Sequence, residues 1–503
     1  MGENLLFQSL LAVPFLGAVI VYLTGRISIL KRKNWGMSAV RVLSVLTLLL
    51  DGCILFFVVR QAMTTGSVYL DVGEVSLILD GVGLLLTTVV LFLGLMVTLF
   101  SLQYIKGEKG EEKFYALLLC TIGSIIGLGM SFDLFTLWIW FEAMAISTFL
   151  LVAFYNEEPP SLEAGIKYLV QSAVGSALVL FGIAILFSQT GSTSFAYIWQ
   201  TTSADAPLAV VGGVLLIVGF GVKTALVPLH TWLPDAHSQA PSGISAMLSG
   251  VVIEAGLIAM LRSLSFMGQI DFNWGGILLG FGCLNILVGN LMALRQTQVK
   301  RLLAYSSLAH VGYMLIGFGI GFSYGLADGA SGGFFHLITH SLMKGLAFLA
   351  AGALLYALHL SNKEHAPLTL NDLNGASRKY PVVSFALSLA VLALGGLPPL
   401  AGFMSKWQIL VAGASTRNTL MLIIVVFTAL NSVLSLGYYA PMVNRLYRRE
   451  PSTAVENGKS IPTMLIVPLV IMVIAVTVIG FWPSSMDFFT SNATYSLLST
   501  FFY

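Results

Sequence analysis

The chain is a nearly unbroken series of long apolar runs, from about residue 5 to about residue 483, separated by short polar stretches. About twenty apolar residues let an α-helix cross the hydrocarbon core of a bilayer. Only helices and closed barrels satisfy their own backbone polar groups there. The ten-residue alternation of barrel strands does not recur along this chain. Charged residues make up 10% of the sequence, against about 25% in soluble domains. The fold class expected is therefore an all-α polytopic membrane protein of about 14 transmembrane helices. The runs cover roughly 5–24, 37–60, 76–104, 114–131, 133–155, 163–189, 207–230, 242–265, 272–294, 301–323, 332–358, 381–411, 418–446 and 462–483. The apolar stretch Leu10–Val21 is followed by further spans and no clear cleavage site, so it reads as part of a first helix and not as a removed signal.

The basic residues sort themselves onto this scheme. Nineteen of the 25 lysines and arginines fall on one side of the membrane, including Arg26, Arg41, Lys109, Lys167, Lys300 and Arg301. The opposite side holds only Arg60, Arg262 and Arg417, and Lys223, Lys344 and Lys406 lie inside spans. Such an imbalance marks the basic side as cytoplasmic and both termini as external. No connecting stretch is long enough for a soluble domain, so no nucleotide-binding or redox module is expected. Gly317 to Gly321 has alternate glycines but lies within a span, where the dinucleotide fingerprint has no meaning. Cys53, Cys120 and Cys283 stand alone in apolar runs and form no CxxC pair, so no metal or iron–sulfur framework is visible. The net charge of +2 gives no sign of a nucleic-acid partner.

Two spans are interrupted by proline, each with a lysine near the break. The seventh has Lys223 and Pro228, and the twelfth has Gly395-Gly396-Leu397-Pro398-Pro399 followed by Lys406. Proline removes a backbone donor and frees a carbonyl one turn earlier. Irregular backbone of this kind persists at membrane depth only against protein or a water-filled cavity. The broken spans are five apart and run in opposite directions. Spans four to eight and nine to thirteen therefore form two expected five-helix units of inverted topology, a common transporter plan. The expected division is 1–112, 113–266, 267–447 and 448–503.

Ionisable residues within spans are costly and mark ion pathways by default. Glu142 lies well inside the fifth span, and Lys223 is its candidate partner; the bland alternative is a static buried pair. Glu254 lies in the eighth span, either as a proton relay or as a neutral hydrogen-bonding acid. His336, His340 and Lys344 are spaced i, i+4, i+8 and share one helix face. Imidazole both donates and accepts, so this stripe reads as a polar pathway. No carboxylate stands at metal-ligand spacing beside it. Lys406 follows the second break, where its alternative is to snorkel toward the interface. His310, after Tyr305-Ser306-Ser307, is a further candidate. His230, Asp235 and His237 follow the first break; Asp235 and His237 are expected at the cytoplasmic rim, bonding the broken helix. Asp80 is expected to cap its span or lie at the interface, and Asp51 lies deeper with packing and transport both open.

Taken together, these motifs resemble a known family. The residues that carry the likeness are Leu79-Asp80-Gly81, Trp140-Phe141-Glu142, Gly221-Val222-Lys223, His230-Thr231-Trp232-Leu233-Pro234-Asp235-Ala236-His237, Ala240-Pro241-Ser242, Lys300-Arg301-Leu302-Leu303-Ala304-Tyr305-Ser306-Ser307 and His336-Leu337-Ile338-Thr339-His340. The chain resembles the antiporter-like proton-translocating subunits of respiratory complex I, of Mrp-type cation/proton antiporters and of membrane-bound hydrogenases. That likeness implies a Glu142–Lys223 pair at the core of a proton channel. It implies a relay through the eighth-span position and the eleventh-span histidines, with Lys406 facing the outlet. Two departures stand out. The eighth-span position is usually lysine or histidine in the family and is Glu254 here, which reverses the charge at the link. Gln298 stands where an aspartate commonly precedes the Lys-Arg pair. The sequence stops soon after the fourteenth run, as in the middle subunits of the complex I arm.

The function expected is an ion-translocating subunit of a redox-driven, complex I-related pump, with no cofactor of its own. Its partners are other membrane subunits, redox subunits elsewhere in the complex, and the lipid bilayer. The location expected is a bacterial or archaeal cytoplasmic membrane, or an organelle or thylakoid membrane that transduces energy. The rival readings are a subunit of an Mrp-type sodium/proton antiporter, of an inorganic-carbon uptake complex, or of a quinone-binding enzyme, and a bare scaffold.

Overall fold

A computed structural model describes residues 2–31, 35–65, 68–72, 75–362, 366–448 and 450–502. Arg32, Lys33, Lys363 and Arg449 of the basic-side tally lie outside these residues. Among the described residues, thirteen helices are long and apolar enough to cross a bilayer. Where the twelfth span is expected, two shorter helices follow one another, Pro381–Gly395 and Ala401–Ser415. The chain is an all-α polytopic membrane protein.

Two features were not expected. The third span begins at Gly81, not near residue 76. The residues before it form a β-hairpin, Val68–Val72 antiparallel to Val75–Leu79. A further helix, Asp487–Phe502, follows the fourteenth span, Thr463–Phe481. It packs against the third span and the eighth, and Ser496 Oγ accepts from Gly81 N at 3.1 Å.

The spans are unequally enclosed. The eighth (Ser242–Ser265) and tenth (Val299–Tyr324) are buried along their whole apolar length. The eleventh (Ala327–Leu358) is 94% buried over the same kind of stretch, and the thirteenth (Thr419–Leu446) only 22%. The eighth, tenth and eleventh spans are therefore screened from lipid by protein, and they carry Glu254, His310 and the His336–His340–Lys344 stripe.

Both breaks follow the same chemistry. Helix Pro207–Thr224 ends at Ala225, and helix Pro381–Gly395 ends at Gly396; both residues are left-handed, with φ of 60° and 80°. At the first break, Asn285 of the ninth span (Trp274–Leu294) accepts from Val227 N at 2.9 Å and donates to Ala225 O at 3.3 Å. Trp232 Nε1 donates to Val222 O at 2.8 Å. At the second, Leu397 N donates to Leu392 O at 3.2 Å, and Lys406 Nζ caps Leu394 O at 2.8 Å. The freed backbone groups thus find protein partners, as a low-dielectric interior demands.

Static charge lies toward the span ends. Asp80 caps the third span by accepting from Gly83 N at 2.8 Å, as one of its two expected roles required. It also pairs with Arg262 at 2.6 Å, and Arg262 donates to Gly129 O at 2.7 Å. The third, fourth and eighth spans are pinned together by this buried pair. On the basic side, Arg41 of the second span pairs with Glu111 at the start of the fourth. Removing one member of a buried pair strands the other charge, at a cost of about 3–5 kcal/mol. Arg262→Ala is therefore expected to lower the thermal stability of the purified complex sharply, and Asp80→Asn/Arg262→Met to recover part of the loss. A melting curve of the solubilised complex reads both.

Candidate functional site

Lys223 lies in the last turn of helix Pro207–Thr224 and is 1% exposed. Its amine donates to Tyr168 Oη at 2.5 Å, to Ser172 Oγ at 3.4 Å and to Thr148 Oγ1 at 3.5 Å. It stands 4.3 Å from the Tyr168 ring centre and 5.9 Å from that of Phe141. Tyr168 and Ser172 are one turn apart on the sixth span (Pro159–Thr190), and Thr148 lies on the fifth (Leu134–Val152).

Glu142, the expected partner, is not among the groups that the Lys223 amine bonds. One Glu142 oxygen is buried with no hydrogen-bond partner among the described residues. The expected direct pair is thus replaced by a hydroxyl and aromatic cage around the amine. The cause is local: Tyr168, Ser172 and Thr148 reach the ammonium first. Short polar residues recurring one turn apart in the sixth span were the sequence signal for this cage.

The eighth span meets Lys223 closely. A Cβ at Gly256 would lie 3.1 Å from the Lys223 Cβ, so only glycine fits there without displacement. Half a turn earlier, Glu254 is fully buried. Its Oε1 lies 2.7 Å from His340 Nδ1, and its Oε2 accepts from Ser341 Oγ at 2.8 Å. The turn before it, Leu248–Val252, is π-helical. Ser341 also donates to Gly250 O within this turn. Single π turns inside α-helices cluster at functional sites. The acid at the eighth-span position is therefore bonded to an imidazole on the eleventh.

From His340 the polar groups continue. The rings of His310 and His340 are centred 5.2 Å apart. His310 Nδ1 and His336 Nε2 are 3.0 Å apart, with their rings stacked at 13°. His336 Nδ1 lies 2.8 Å from Ser405 Oγ, and Thr339 Oγ1 donates to Ser405 Oγ at 3.1 Å. Lys406 follows directly in the chain. It is 4% exposed, donates to Leu394 O at 2.8 Å and Ser432 Oγ at 3.1 Å, and lies 4.6 Å from the Tyr313 ring centre. It does not snorkel to the surface. Lys344, the third residue of the stripe, donates to Leu303 O at 2.8 Å and to the Ser306 hydroxyl.

The residues after the first break divide. Asp235, on the short helix Trp232–Gln239, stands at the basic surface as expected. It pairs with Lys167 at 3.0 Å and Arg301 at 2.7 Å. Burial raises its carboxyl, but the hydrogen bonds from Lys167 and Arg301 outweigh that and hold it below the ordinary aspartate range. His230 is half-buried, set edge-on to Tyr305 with ring centres 6.4 Å apart. His237 departs from the expected rim position. It is fully buried and stacked on Phe348 at 4.7 Å, because its side of the short helix faces the eleventh span. Asp51 is also fully buried, and neither carboxylate oxygen has a partner among the described residues. Among those residues, no cluster of three or more histidine, cysteine or acidic side chains is placed to hold a metal.

Residues 131–432 match the family described as NADH:quinone oxidoreductase/Mrp antiporter, transmembrane, and residues 65–115 match the complex I chain 5 N-terminus. The chain belongs to this family. It is 33% identical to the F(420)H(2) dehydrogenase subunit N of Methanosarcina mazei over 422 residues, covering 83% of this chain and 84% of that one. It is 34% identical to the NADH-quinone oxidoreductase subunit N of Deinococcus radiodurans over 415 residues, 80% of each. Among solved structures, an archaeal membrane-bound sulfane sulfur reductase has a chain 27% identical that superposes with a TM-score of 0.87, over 98% of both chains. A chain of complex I from Thermus thermophilus gives 25% and 0.76, over 96% of this chain and 99% of that one. A chain of the Mrp complex from Dietzia shares the fold, at 19% identity and a TM-score of 0.83, over 97% and 98%.

The Lys223 cage yields a direct expectation. Tyr168→Phe removes the shortest hydrogen bond to the amine while keeping the ring, at a cost of about 1.5–3 kcal/mol for a bond to a charged group. Ion translocation by the assembled complex should fall about tenfold or more at unchanged subunit content. Vesicle acidification alongside an immunoblot checks it.

Proposed function

We propose that this chain is a proton-translocating, antiporter-like membrane subunit of a redox-driven complex related to complex I. Relatives that it resembles are named as subunits of an F(420)H(2) dehydrogenase and of an NADH-quinone oxidoreductase. Protons would pass between Lys223 and Lys406 by way of Glu254, His340, His310, His336 and Ser405, with Lys344 beside the row and Glu142 setting the field at Lys223. Spans four to eight and nine to thirteen would form the two inverted units, with their alike breaks as support.

The observation that carries this reading is the row from Glu254 to Ser405. Three of its links are contacts of 2.7–3.0 Å. The fourth, from His340 to His310, is a ring-to-ring approach of 5.2 Å, and His340 Nε2 has no partner among the described residues. Each imidazole takes a proton on one nitrogen and releases one from the other. A carboxyl at one end gives a site that is neutral when protonated, next to a ring that can hold the charge. No soluble module supplies energy within the described residues, so driving force comes from partner subunits.

The lysines suit the same purpose. Lys223, Lys344 and Lys406 are held by hydroxyls, carbonyls and rings, not by carboxylates. A hydroxyl accepts from an ammonium and can donate to a neutral amine, so it serves both states.

Glu254→Gln should assemble and lose proton translocation, because the amide cannot exchange a proton with His340. Glu254→Lys, although it introduces the residue type usual in the family, should be equally inactive, since it sets an ammonium against His340 with Lys344 one turn away. Lys223→Ala should likewise abolish pumping with assembly largely intact. Proton uptake by vesicles containing the complex, normalised to subunit content, tests all three; normal pumping by an assembled Glu254→Gln complex would sink the relay. The subunits that copurify with the tagged chain test its assignment to a redox complex.

A further inference from the structure

The histidine row ends short of Lys406. Its last member, Ser405, bonds His336, Thr339 and the carbonyls of Ala401 and Gly402. Lys406 Nζ donates elsewhere, to Leu394 O and Ser432 Oγ. Successive residues of an α-helix point about 100° apart, so Ser405 and Lys406 face different ways although they adjoin in the chain. What lies between the end of the row and the amine decides how the two are held together.

One side chain meets both. Tyr313 of the tenth span is 2% exposed. Its ring centre lies 5.7 Å from that of His310 and 5.7 Å from that of His336, with the planes at 62° and 72°, an edge-on arrangement. Lys406 Nζ stands over the same ring, 4.6 Å from its centre. The ring is fixed by an apolar cluster that includes Ile286 of the ninth span, Ile316 of the tenth and Ile409 of the twelfth. The second break closes in on the amine as well: a Cβ at Gly396 would lie 3.6 Å from Nζ. A carbonyl, a hydroxyl and a ring face thus hold Lys406. The carbonyl and the hydroxyl accept an N–H from a charged or a neutral amine. An aromatic face is negative and attracts an ammonium, but not a neutral amine. Of the three, only the ring distinguishes the two states of the lysine. The contact at Lys223 is of another kind, because there the phenol oxygen of Tyr168 itself accepts from the amine.

We propose that Tyr313 is a positioning residue for proton transfer at Lys406: the face of its ring seats the ammonium beside the His310–His336 pair, where Ser405 makes no bond to the amine. When an imidazolium of the row gives its proton to the neutral amine, one N–H bond breaks and one forms, and the ring holds the ammonium so produced. Passage of that proton onward releases the amine from the ring, with Leu394 O and Ser432 Oγ still in reach. The ring exchanges no proton in either step. This inference rests on the central row carrying protons.

The test measures proton uptake by sealed vesicles holding the whole complex, normalised to subunit content. Tyr313→Leu, which removes the ring, should slow uptake about tenfold or more, as loss of a desolvated cation–π contact predicts. Tyr313→Phe, which keeps the ring, should recover most of that loss. Phenylalanine at position 313 carrying one, two or three ring fluorines keeps the shape and the burial but drains the π face, so uptake should fall step by step along the series. The proposal is overturned if uptake stays level along the series, or if an assembled Tyr313→Leu complex pumps at the wild-type rate. It is also overturned if Tyr313→Phe is no faster than Tyr313→Leu, which would give the role to the hydroxyl. Should Tyr313→Leu fail to assemble, the fluorine series decides by itself. Glu254→Gln is measured beside these variants, and its normal pumping overturns the central row instead, whatever the series shows.

Discussion

The cost of placing charge in a medium that cannot solvate it governs this structure. An ammonium in a bilayer-spanning bundle costs several kcal/mol unless the protein replaces its water. Here the replacement is neutral: the Tyr168, Ser172 and Thr148 hydroxyls for Lys223, a carbonyl and a hydroxyl for Lys344, and Leu394 O with Ser432 for Lys406. The enclosure of the eighth, tenth and eleventh spans follows from the same requirement, because groups of this kind can be arranged only where lipid is absent. Firm ion pairs are kept to the ends of spans, as between Asp80 and Arg262 or Arg41 and Glu111, where they brace helices and move nothing.

The breaks in the seventh and twelfth spans belong to this arrangement. A helix that stops inside the bundle presents carbonyls that a cation can use. Lys406 takes Leu394 O in this way. At the other break, Asn285 and Trp232 satisfy the backbone, which leaves Lys223 free to turn to the hydroxyls of the fifth and sixth spans. The two lysines thus differ in what holds them, although the sequence around each reads alike.

Much of this was legible in the sequence. Apolar runs of bilayer length and the one-sided distribution of lysine and arginine gave the spans, and Pro228 and Pro398-Pro399 gave the breaks. The i, i+4, i+8 spacing placed His336, His340 and Lys344 on one face, where the structure has them. What could not be read were contacts between spans distant in sequence. Glu142 and Lys223 were natural partners by charge, yet Tyr168 lies nearer, and nothing in a one-dimensional pattern ranks the two. His237 looked like a surface residue because it follows a polar string; the rotation of one short helix turned it inward. The helix Asp487–Phe502 was missed because its composition is too polar for a span.

Glu254 and His340 meet across 86 positions of chain, and both are fully buried. An acid at the first position without a ring nitrogen at the second would be a buried carboxyl bonded by a single serine. A ring without the acid would keep the neighbouring His310 and His336 rings but lose its one hydrogen bond at Nδ1. The two side chains therefore act as one polar unit, and a substitution at either changes what the other is bonded to.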